Sequence, residues 1–185
     1  MSPATTDQSS PPLQFRFGTI ADAAAVSAFA RRLFDEAFGP DNSPTDMALY
    51  TDVAFSPAAQ ARELADPSRT YLLGEHAGTI AAYALVRAGS TDPAVSGANP
   101  VELERFYVDA PWRGSGVAHL MMDQVMEIAR ARGGETLWLG VWGENRRGIR
   151  FYTKRGFRDV GSHLFLLVTD LQTDRVMRRS LVDGE

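Results

Sequence analysis

The segment VELERFYVDAPWRGSGVAHL, residues 101–120, decides the fold of this chain. Its first eight residues, 101–108, are predicted to form a strand. Gly114 and Gly116 then allow a tight turn and let a ligand approach the backbone closely. A helix is predicted to begin at Val117, directly behind the glycines. Such a helix start presents unpaired N–H groups and the positive end of the helix dipole, which together favour an anion.

The same segment lacks two common phosphate-binding motifs. It has no Gly-Lys-Ser/Thr ending of a P-loop and no G-x-G-x-x-G dinucleotide fingerprint. Arg113 adds positive charge where a phosphate would lie. A glycine-rich turn with a purely structural role fits this segment alone equally well, so the remaining sequence has to decide.

The composition is that of one globular domain. The chain has 185 residues, of which 44% are hydrophobic and 23% charged. It has no cysteine, which excludes disulfides, thiolate zinc sites and a thiol nucleophile, and fits a cytoplasmic protein. Its three histidines are far apart in sequence, so we expect no metal site.

The net charge and the apolar content limit the classes of binding partner that we expect. The net charge of −4 argues against direct nucleic-acid binding, which usually needs a basic excess. No apolar run approaches the ~18 residues of a membrane span, so we expect no membrane partner. Residues 1–12 are rich in Ser, Thr and Pro and are predicted to be a disordered tail. Residues 13–185 then form the single domain.

The predicted elements alternate between strands and helices. A strand at 14–17 precedes a helix that Asp22 caps and Gly39 ends. The remaining elements are helices at 45–55 and 57–65, strands at 70–75, 79–87 and 101–108, a helix at 117–132, a strand at 136–142, a helix at 144–155, and a hairpin of 163–170 with 175–181. This order predicts a mixed α/β sandwich.

Two motifs carry a family resemblance. The first is Arg-x-x-Gly-x-Ala, and the second is an Asn followed by Phe-Tyr and Gly-Phe; their residues are Arg113, Gly116 and Ala118, then Asn145, Phe151-Tyr152 and Gly156-Phe157. With both motifs in order, residues ~13–181 resemble the GCN5-related N-acetyltransferase (GNAT) superfamily. The resemblance implies the GNAT fold. This is a mixed, mostly antiparallel sheet of about seven strands flanked by helices, with a splay between the fourth and fifth strands.

Within that superfamily the chain most resembles the PaiA type, a bacterial branch that acetylates polyamines such as spermidine and spermine. The matching stretches are 38–50, 103–108, 138–142 and 172–174. The resemblance therefore implies transfer of acetyl from acetyl-CoA to a primary amine, with a polyamine as the expected acceptor.

The resemblance also implies the donor-binding residues. Acetyl-CoA, with no metal, would lie between the strands 101–108 and 136–142. The backbone of the glycine turn would hold the pyrophosphate, the strand backbone would pair with the pantetheine arm, and Asn145 would hydrogen-bond that arm. The candidates are Phe106, Tyr107, Val108, Arg113, Gly114, Ser115, Gly116, Val117, Ala118, Asn145, Arg147 and Lys154.

Three residues are the catalytic candidates. The family motif places Tyr152 beside the thioester sulfur, as general acid, although a core tyrosine is the alternative. Glu102 and Glu104 lie two apart on a strand and share one face, where one of them would contact the acceptor amine or its water. Glu104 is the preferred one. The amine would attack directly in a ternary complex, because no cysteine exists to carry the acetyl group.

An acidic stretch bears on the acceptor. Residues 33–61 contain no Lys or Arg but five acids, and such a wall would attract a cation. The candidate substrate-binding residues are Asp35, Glu36, Asp41 and Asp46. Helix N-termini favour acids in any case, which is a structural explanation for Asp46.

Other functions stay open at this level. The chain fits a regulatory protein that binds acetyl-CoA with little turnover. It also fits an N-acetyltransferase acting on a protein N-terminus, an amino acid or an aminoglycoside. A homodimer is the family-level expectation for its assembly.

Overall fold

A computed structural model describes residues 13–168 and 170–182, so the predicted tail at 1–12 lies outside the described residues. The strands are β1 (Gln14–Phe17), β2 (Arg69–His76), β3 (Thr79–Ala88), β4 (Pro100–Val108), β5 (Thr136–Trp142), β6 (Arg158–Leu167) and β7 (Asp170–Ser180). The helices are α1 (Ala23–Phe38), α2 (Pro44–Ala54), α3 (Pro57–Ala65), α4 (Val117–Ala131) and α5 (Arg146–Lys154).

The seven strands form one mixed sheet in the order β1-β2-β3-β4-β5-β7-β6. Strands β4 and β5 run parallel and pair only from Pro100 to Glu102, opposite Thr136 to Trp138. Beyond these residues the two strands diverge, and we call the gap between them the splay. The expected GNAT architecture, with a splay between the fourth and fifth strands, is thereby confirmed.

Helices cover both faces of the sheet. Apolar side chains of α4, such as Met121 and Val125, are fully buried against Leu137 and Leu139 of β5. On the opposite face α1–α3 pack over Tyr83 and other residues of β2 and β3. We call these the α4–α5 face and the α1–α3 face.

A β-bulge interrupts β4 where the splay begins. Leu85 of β3 pairs with Arg105, whereas the next residue, Val86, pairs with Leu103, so Glu104 is the extra residue. Arg105 and Glu104 consequently both reach partners on the α1–α3 face. No feature of the amphipathic pattern indicates this bulge.

Two predicted boundaries are wrong for identifiable reasons. The final hairpin was predicted as 163–170 with 175–181, but its strands pair from Arg158 to Leu167 and from Asp170 to Ser180. Its polar residues are typical of a loop, and they belong to the sheet because β7 pairs with β5. The helix predicted from Glu144 begins at Arg146, because the Asn145 side chain caps it by accepting a hydrogen bond from the Gly148 N–H.

One ion pair ties α3 to the bulge. Arg105 donates to both oxygens of Glu63, at 2.7 and 3.0 Å, and the two side chains are only 18% and 20% exposed. Burial raises the pKa of Glu63, but the hydrogen bond and charge of Arg105 outweigh it and hold the pKa below the ordinary value. The charged carboxylate therefore stabilises the fold.

We predict that Glu63→Gln lowers the free energy of unfolding by about 1–3 kcal/mol at pH 7, because Arg105 loses its counter-charge. A depressed folded pKa contributes stability above the unfolded value, here 4.5, and loses it as the pH falls further. The difference from wild type should therefore shrink below that pH in denaturant titrations. Glu127→Gln, at a 69% exposed side chain, is the control with no change expected. Equal stabilities of wild type and Glu63→Gln at pH 7 would contradict the assignment.

Candidate active site

A cavity of about 410 Å³ opens on the α4–α5 face, beside the splay. We call it the donor cavity. Strand β4, the glycine turn, the start of α4 and helix α5 all contribute to it. Its lining residues are Phe106, Val108, Arg113, Gly114, Gly116, Ala118, His119, Asn145, Arg147, Gly148, Phe151 and Tyr152.

The glycine turn presents bare backbone to this cavity. Gly114 and Gly116 have φ of +83° and +92°, which favours glycine, and a Cβ on either would meet no atom within 4 Å. Among the described residues, the N–H groups of Gly116, Val117 and Ala118 have no hydrogen-bond acceptor. These donors at the start of α4 form a cradle suited to an anion.

The backbone of β4 offers further groups at the splay. The Asp109 N–H donates to the Ala81 carbonyl of β3. Since N–H groups alternate in direction along a strand, those of Phe106 and Val108 point away from β3 and toward the splay. The Val108 carbonyl is already used, because it accepts a hydrogen bond from Arg113 Nε at 3.0 Å.

Arg113 and Asn145 each have a structural task as well. Arg113 Nη2 lies 3.6 Å from Glu36, so this guanidinium links the turn to β4 and α1. Asn145 Oδ1 caps α5, and a Cβ at Gly148 would approach the Asn145 amide nitrogen to 2.8 Å. That amide nitrogen remains a donor at the cavity wall.

Tyr152 lies half-buried between aromatic rings of β4 and α5. Its ring packs edge-on against Phe106, Phe151 and Phe157. Burial raises the pKa of the Tyr152 hydroxyl, which therefore stays protonated at neutral pH. The hydroxyl has no hydrogen-bond partner among the described residues, so it is available as a donor toward the cavity.

Four of the predicted donor residues direct their side chains away from this cavity, and for Ser115 and Val117 the prediction concerns only the backbone N–H groups. The Tyr107 side chain points to the opposite face and stacks on Tyr83 at 5.4 Å, because strand side chains alternate. Lys154 lines a different cavity, near the end of α5. Val117 is buried in the core, and Ser115 turns its hydroxyl back to the Trp112 carbonyl at 2.6 Å.

The two candidate glutamates have different surroundings. Glu104 accepts hydrogen bonds from Arg69 at 2.9 and 3.2 Å, and Arg87 lies 3.5 Å away. Its oxygens are therefore occupied by arginine. Glu102 accepts a hydrogen bond from Ser90 at 2.6 Å, and burial raises the pKa of its carboxyl. Of the two, Glu102 is the carboxylate without an ion pair in the described structure.

The acidic stretch is partly neutralised by arginines from outside it. Glu36 pairs with Arg32 at 2.8 Å, and Asp52 pairs with Arg31 at 2.5 Å. Both arginines precede the stretch by less than one helical turn. Asp46 lies in the first turn of α2, where its N–H is capped by Ser43. Asp35 and Asp41 are exposed.

A further carboxylate on the α1–α3 face was not among the site residues predicted from the sequence. Asp174 of β7 lies opposite Trp142 of β5, with its side chain 17% exposed. Burial raises the pKa of Asp174, and its charge in turn raises the pKa of Tyr107 across the splay, where burial is the larger cause. His163 Nε2 lies 3.8 Å from Asp174, while His163 Nδ1 lies 3.0 Å from Asp92. The hairpin register sets His163 opposite Asp174, and the loop between β3 and β4 supplies Asp92, so no local sequence signal marks this group.

The fold and the cavity define a class of α/β protein with a splayed parallel strand pair and an anion cradle. The model of the Acetyltransferase (GNAT) family matches residues 28–157. An uncharacterised N-acetyltransferase of Mycobacterium tuberculosis is 36% identical over 162 residues, covering 87% of this chain and 99% of that protein. The chain belongs to the GNAT family, and it is an N-acetyltransferase that uses acetyl-CoA.

More distant relatives differ in the substrates that their names carry. The N-alpha-acetyltransferase RimI of M. tuberculosis is 31% identical over 111 residues, covering 60% of this chain and 65% of that protein. A PaiA N-acetyltransferase from Thermoplasma acidophilum, solved with coenzyme A, superposes with a TM-score of 0.71. That match covers 91% of this chain and 98% of the other at 17% identity, so it is a likeness of fold. Within residues 13–168 and 170–182, no helix has the length and apolarity to cross a membrane.

We predict that Gly116→Glu abolishes coenzyme A binding, because a carboxylate would occupy the anion cradle. The positive φ adds backbone strain of about 1–3 kcal/mol, so a control must share it. Gly133→Glu is matched: it has φ of +76° and open surroundings, but it lies behind the far end of α4. Calorimetry should show no binding for the first variant and wild-type affinity for the second. Unchanged affinity of Gly116→Glu would mean that the donor binds elsewhere.

Proposed function

We propose that this enzyme transfers acetyl from acetyl-CoA to a cationic primary amine, with a polyamine such as spermidine as the acceptor class. One observation carries the proposal. Tyr152 and the anion cradle lie on the α4–α5 face of the splay, while Glu102, between two residues that face α4, and Asp174, beside Gly140, lie on the α1–α3 face. A donor and a cationic acceptor can thus approach the splay from opposite faces.

The donor cavity fits coenzyme A in its chemistry. Bound there, acetyl-CoA supplies an activated acyl group and a thiolate leaving group. The unpaired N–H groups of Gly116, Val117 and Ala118 suit its pyrophosphate, and Arg147 adds positive charge at the same wall. The outward N–H groups of Phe106 and Val108 and the amide of Asn145 suit its pantetheine arm.

The acceptor side carries carboxylates that a cation would stabilise. Glu102 and Asp174 both have raised pKa values because burial disfavours their charged forms. An ammonium group placed near them would favour ionisation and would be held in return. Burial thus favours Asp174 and Glu102, rather than the exposed Asp35 and Asp41, as the proposed partners of the amine.

The acceptor must lose a proton before it can attack. A primary amine has a pKa near ~10.4, so only about one molecule in 2,500 is neutral at pH 7, a cost of roughly 4.6 kcal/mol. A carboxylate is too weak a base to take that proton outright, so Glu102 or Asp174 would pass it through water or hold the amine in place. The neutral amine then attacks the acetyl carbonyl, and the Val108 N–H is the proposed donor to the oxyanion.

Tyr152 is the proposed general acid for the leaving thiolate. A thiol has a pKa of ~8.5, below that of tyrosine, and the further rise at Tyr152 makes complete transfer less favourable. A hydrogen bond that strengthens as the sulfur gains charge is therefore its main contribution. Such acid catalysis is typically worth about 10²–10⁴-fold.

A second acceptor class has one specific observation in its favour. The relative named as an N-alpha-acetyltransferase is more similar in sequence than the PaiA structure is. A protein N-terminus is also a primary amine and would use the same groups at the splay. Comparing kcat/KM for spermidine with that for a short peptide with a free N-terminus distinguishes the two classes.

We predict that Tyr152→Phe lowers kcat by about tens to thousands of fold while coenzyme A affinity stays within a few fold. The substitution keeps the ring packing and removes only the proton. The measurement is single-turnover acetyl transfer, which isolates chemistry from product release. A wild-type single-turnover rate would remove Tyr152 from the mechanism.

We predict that Asp174→Asn raises KM for spermidine by about tenfold, the value of one charge-assisted hydrogen bond. KM for a neutral-tailed monoamine should change less, and added salt should narrow the wild-type preference for spermidine. Asp159→Asn removes the same charge from an exposed position in the same hairpin and is the control. Equal effects of both variants on spermidine would show a general charge effect and contradict the role of Asp174.

A further inference from the structure

A second cavity, of about 630 Å³, lies between α4, the end of α5 and strands β6 and β7. We call it the basic cavity. Six cationic side chains line it, together with one carboxylate, Asp123, in the described part of the chain. The cations are Arg130, Lys154, Arg155, Arg158, Arg178 and Arg179. Such a concentration of positive charge is unexpected in a chain whose net charge is −4.

The basic cavity is distinct from the donor cavity. The two share no lining residue. Along α4 the nearest lining residues are His119 of the donor cavity and Asp123 of the basic cavity, four residues or about 6 Å apart at a rise of 1.5 Å per residue. Lys154 belongs to the basic cavity, so it is not placed to serve the donor.

The positive charge is only partly compensated. Asp123 pairs with Arg155, and Glu127 pairs with Arg130. Lys154, Arg158 and Arg179 have no ion pair among the residues described. Burial lowers the pKa of Arg179, and the neighbouring charges of Arg155 and Arg130 lower it further. The basic cavity is therefore lined by like charges that repel one another, and a bound anion would reduce that repulsion.

One buried donor points to the same conclusion. Arg155 Nε is inaccessible to solvent and has no hydrogen-bond partner in the part of the chain that the structure describes. A buried N–H without an acceptor is unfavourable, so such groups in native proteins call for an explanation. Helix dipoles account for cations at the ends of α4 and α5, but not for Arg158 and Arg179 on the strands.

We propose that the basic cavity binds a small anion carrying two or more phosphate groups, at a site separate from acetyl-CoA. Its volume lies within the roughly 300–1,000 Å³ of small-molecule sites. Guanidinium groups bind phosphate oxygens in pairs, and several arginines on different elements can surround more than one phosphate. The proposal does not depend on which amine the enzyme acetylates.

The test is calorimetric titration of the full chain with pyrophosphate in the presence of saturating coenzyme A. The coenzyme fills the donor cavity, so any remaining binding reports the basic cavity. We expect a micromolar dissociation constant that weakens at least tenfold in the Lys154→Gln/Arg158→Gln variant. Neither side chain makes an ion pair with another described residue, so this variant should fold normally, as a thermal melt will check.

The matched control is Arg146→Gln/Arg150→Gln, which removes the same two charges from exposed positions of α5 that line neither cavity. It should bind pyrophosphate like wild type. Loss of pyrophosphate binding once coenzyme A is present would place the phosphates in the donor cavity and overturn the proposal. Equal affinity for sulfate and pyrophosphate would contradict the polyphosphate class.

Discussion

The parallel pairing of β4 with β5 ends after Glu102 and Trp138, and the site depends on that ending. If the pairing of β4 with β5 continued, the N–H groups of Phe106 and Val108 would donate hydrogen bonds to β5. Because it stops, one strand keeps free backbone donors in the middle of a sheet, where they are normally paired. The bulge at Glu104 occurs at the same level and turns two successive charged side chains toward the α1–α3 face.

Features that are local in sequence could be predicted, whereas features set by register could not. The strand, glycine turn and helix at 101–131 follow from residues that adjoin one another, and both glycines adopt the positive φ that only glycine adopts readily. The bulge depends on how β3 and β4 align, and the ladder of β7 with β5 sets Asp174 opposite Trp142. Hydrophobic periodicity within one segment carries no information about such alignments.

The availability of charged side chains is harder to predict from the sequence than the burial of apolar ones, because it also depends on how distant segments align. The stretch 33–61 reads as acidic, yet Arg32 reaches along α1 to Glu36 and Arg31 reaches across to Asp52 of α2, which neutralises part of it. Glu104 reads as a strand carboxylate open to a ligand, but Arg69 arrives from β2 and occupies both oxygens. Ion pairs that join distant segments decide which charges remain available, and these pairs appear only when the chain is folded.

Gly140 affects which substitutions can reshape the surroundings of His163 and Asp174. A Cβ at this position would approach His163 Nε2 to 3.0 Å and Asp174 Oδ2 to 3.5 Å. The imidazole therefore rests against bare main chain. Enlarging residue 140 displaces the ring, whereas shortening residue 163 opens room for a side chain on β5. The two positions behave as one unit, so libraries that vary them together reach side-chain arrangements beside Asp174, the proposed acceptor contact, that no single substitution can reach.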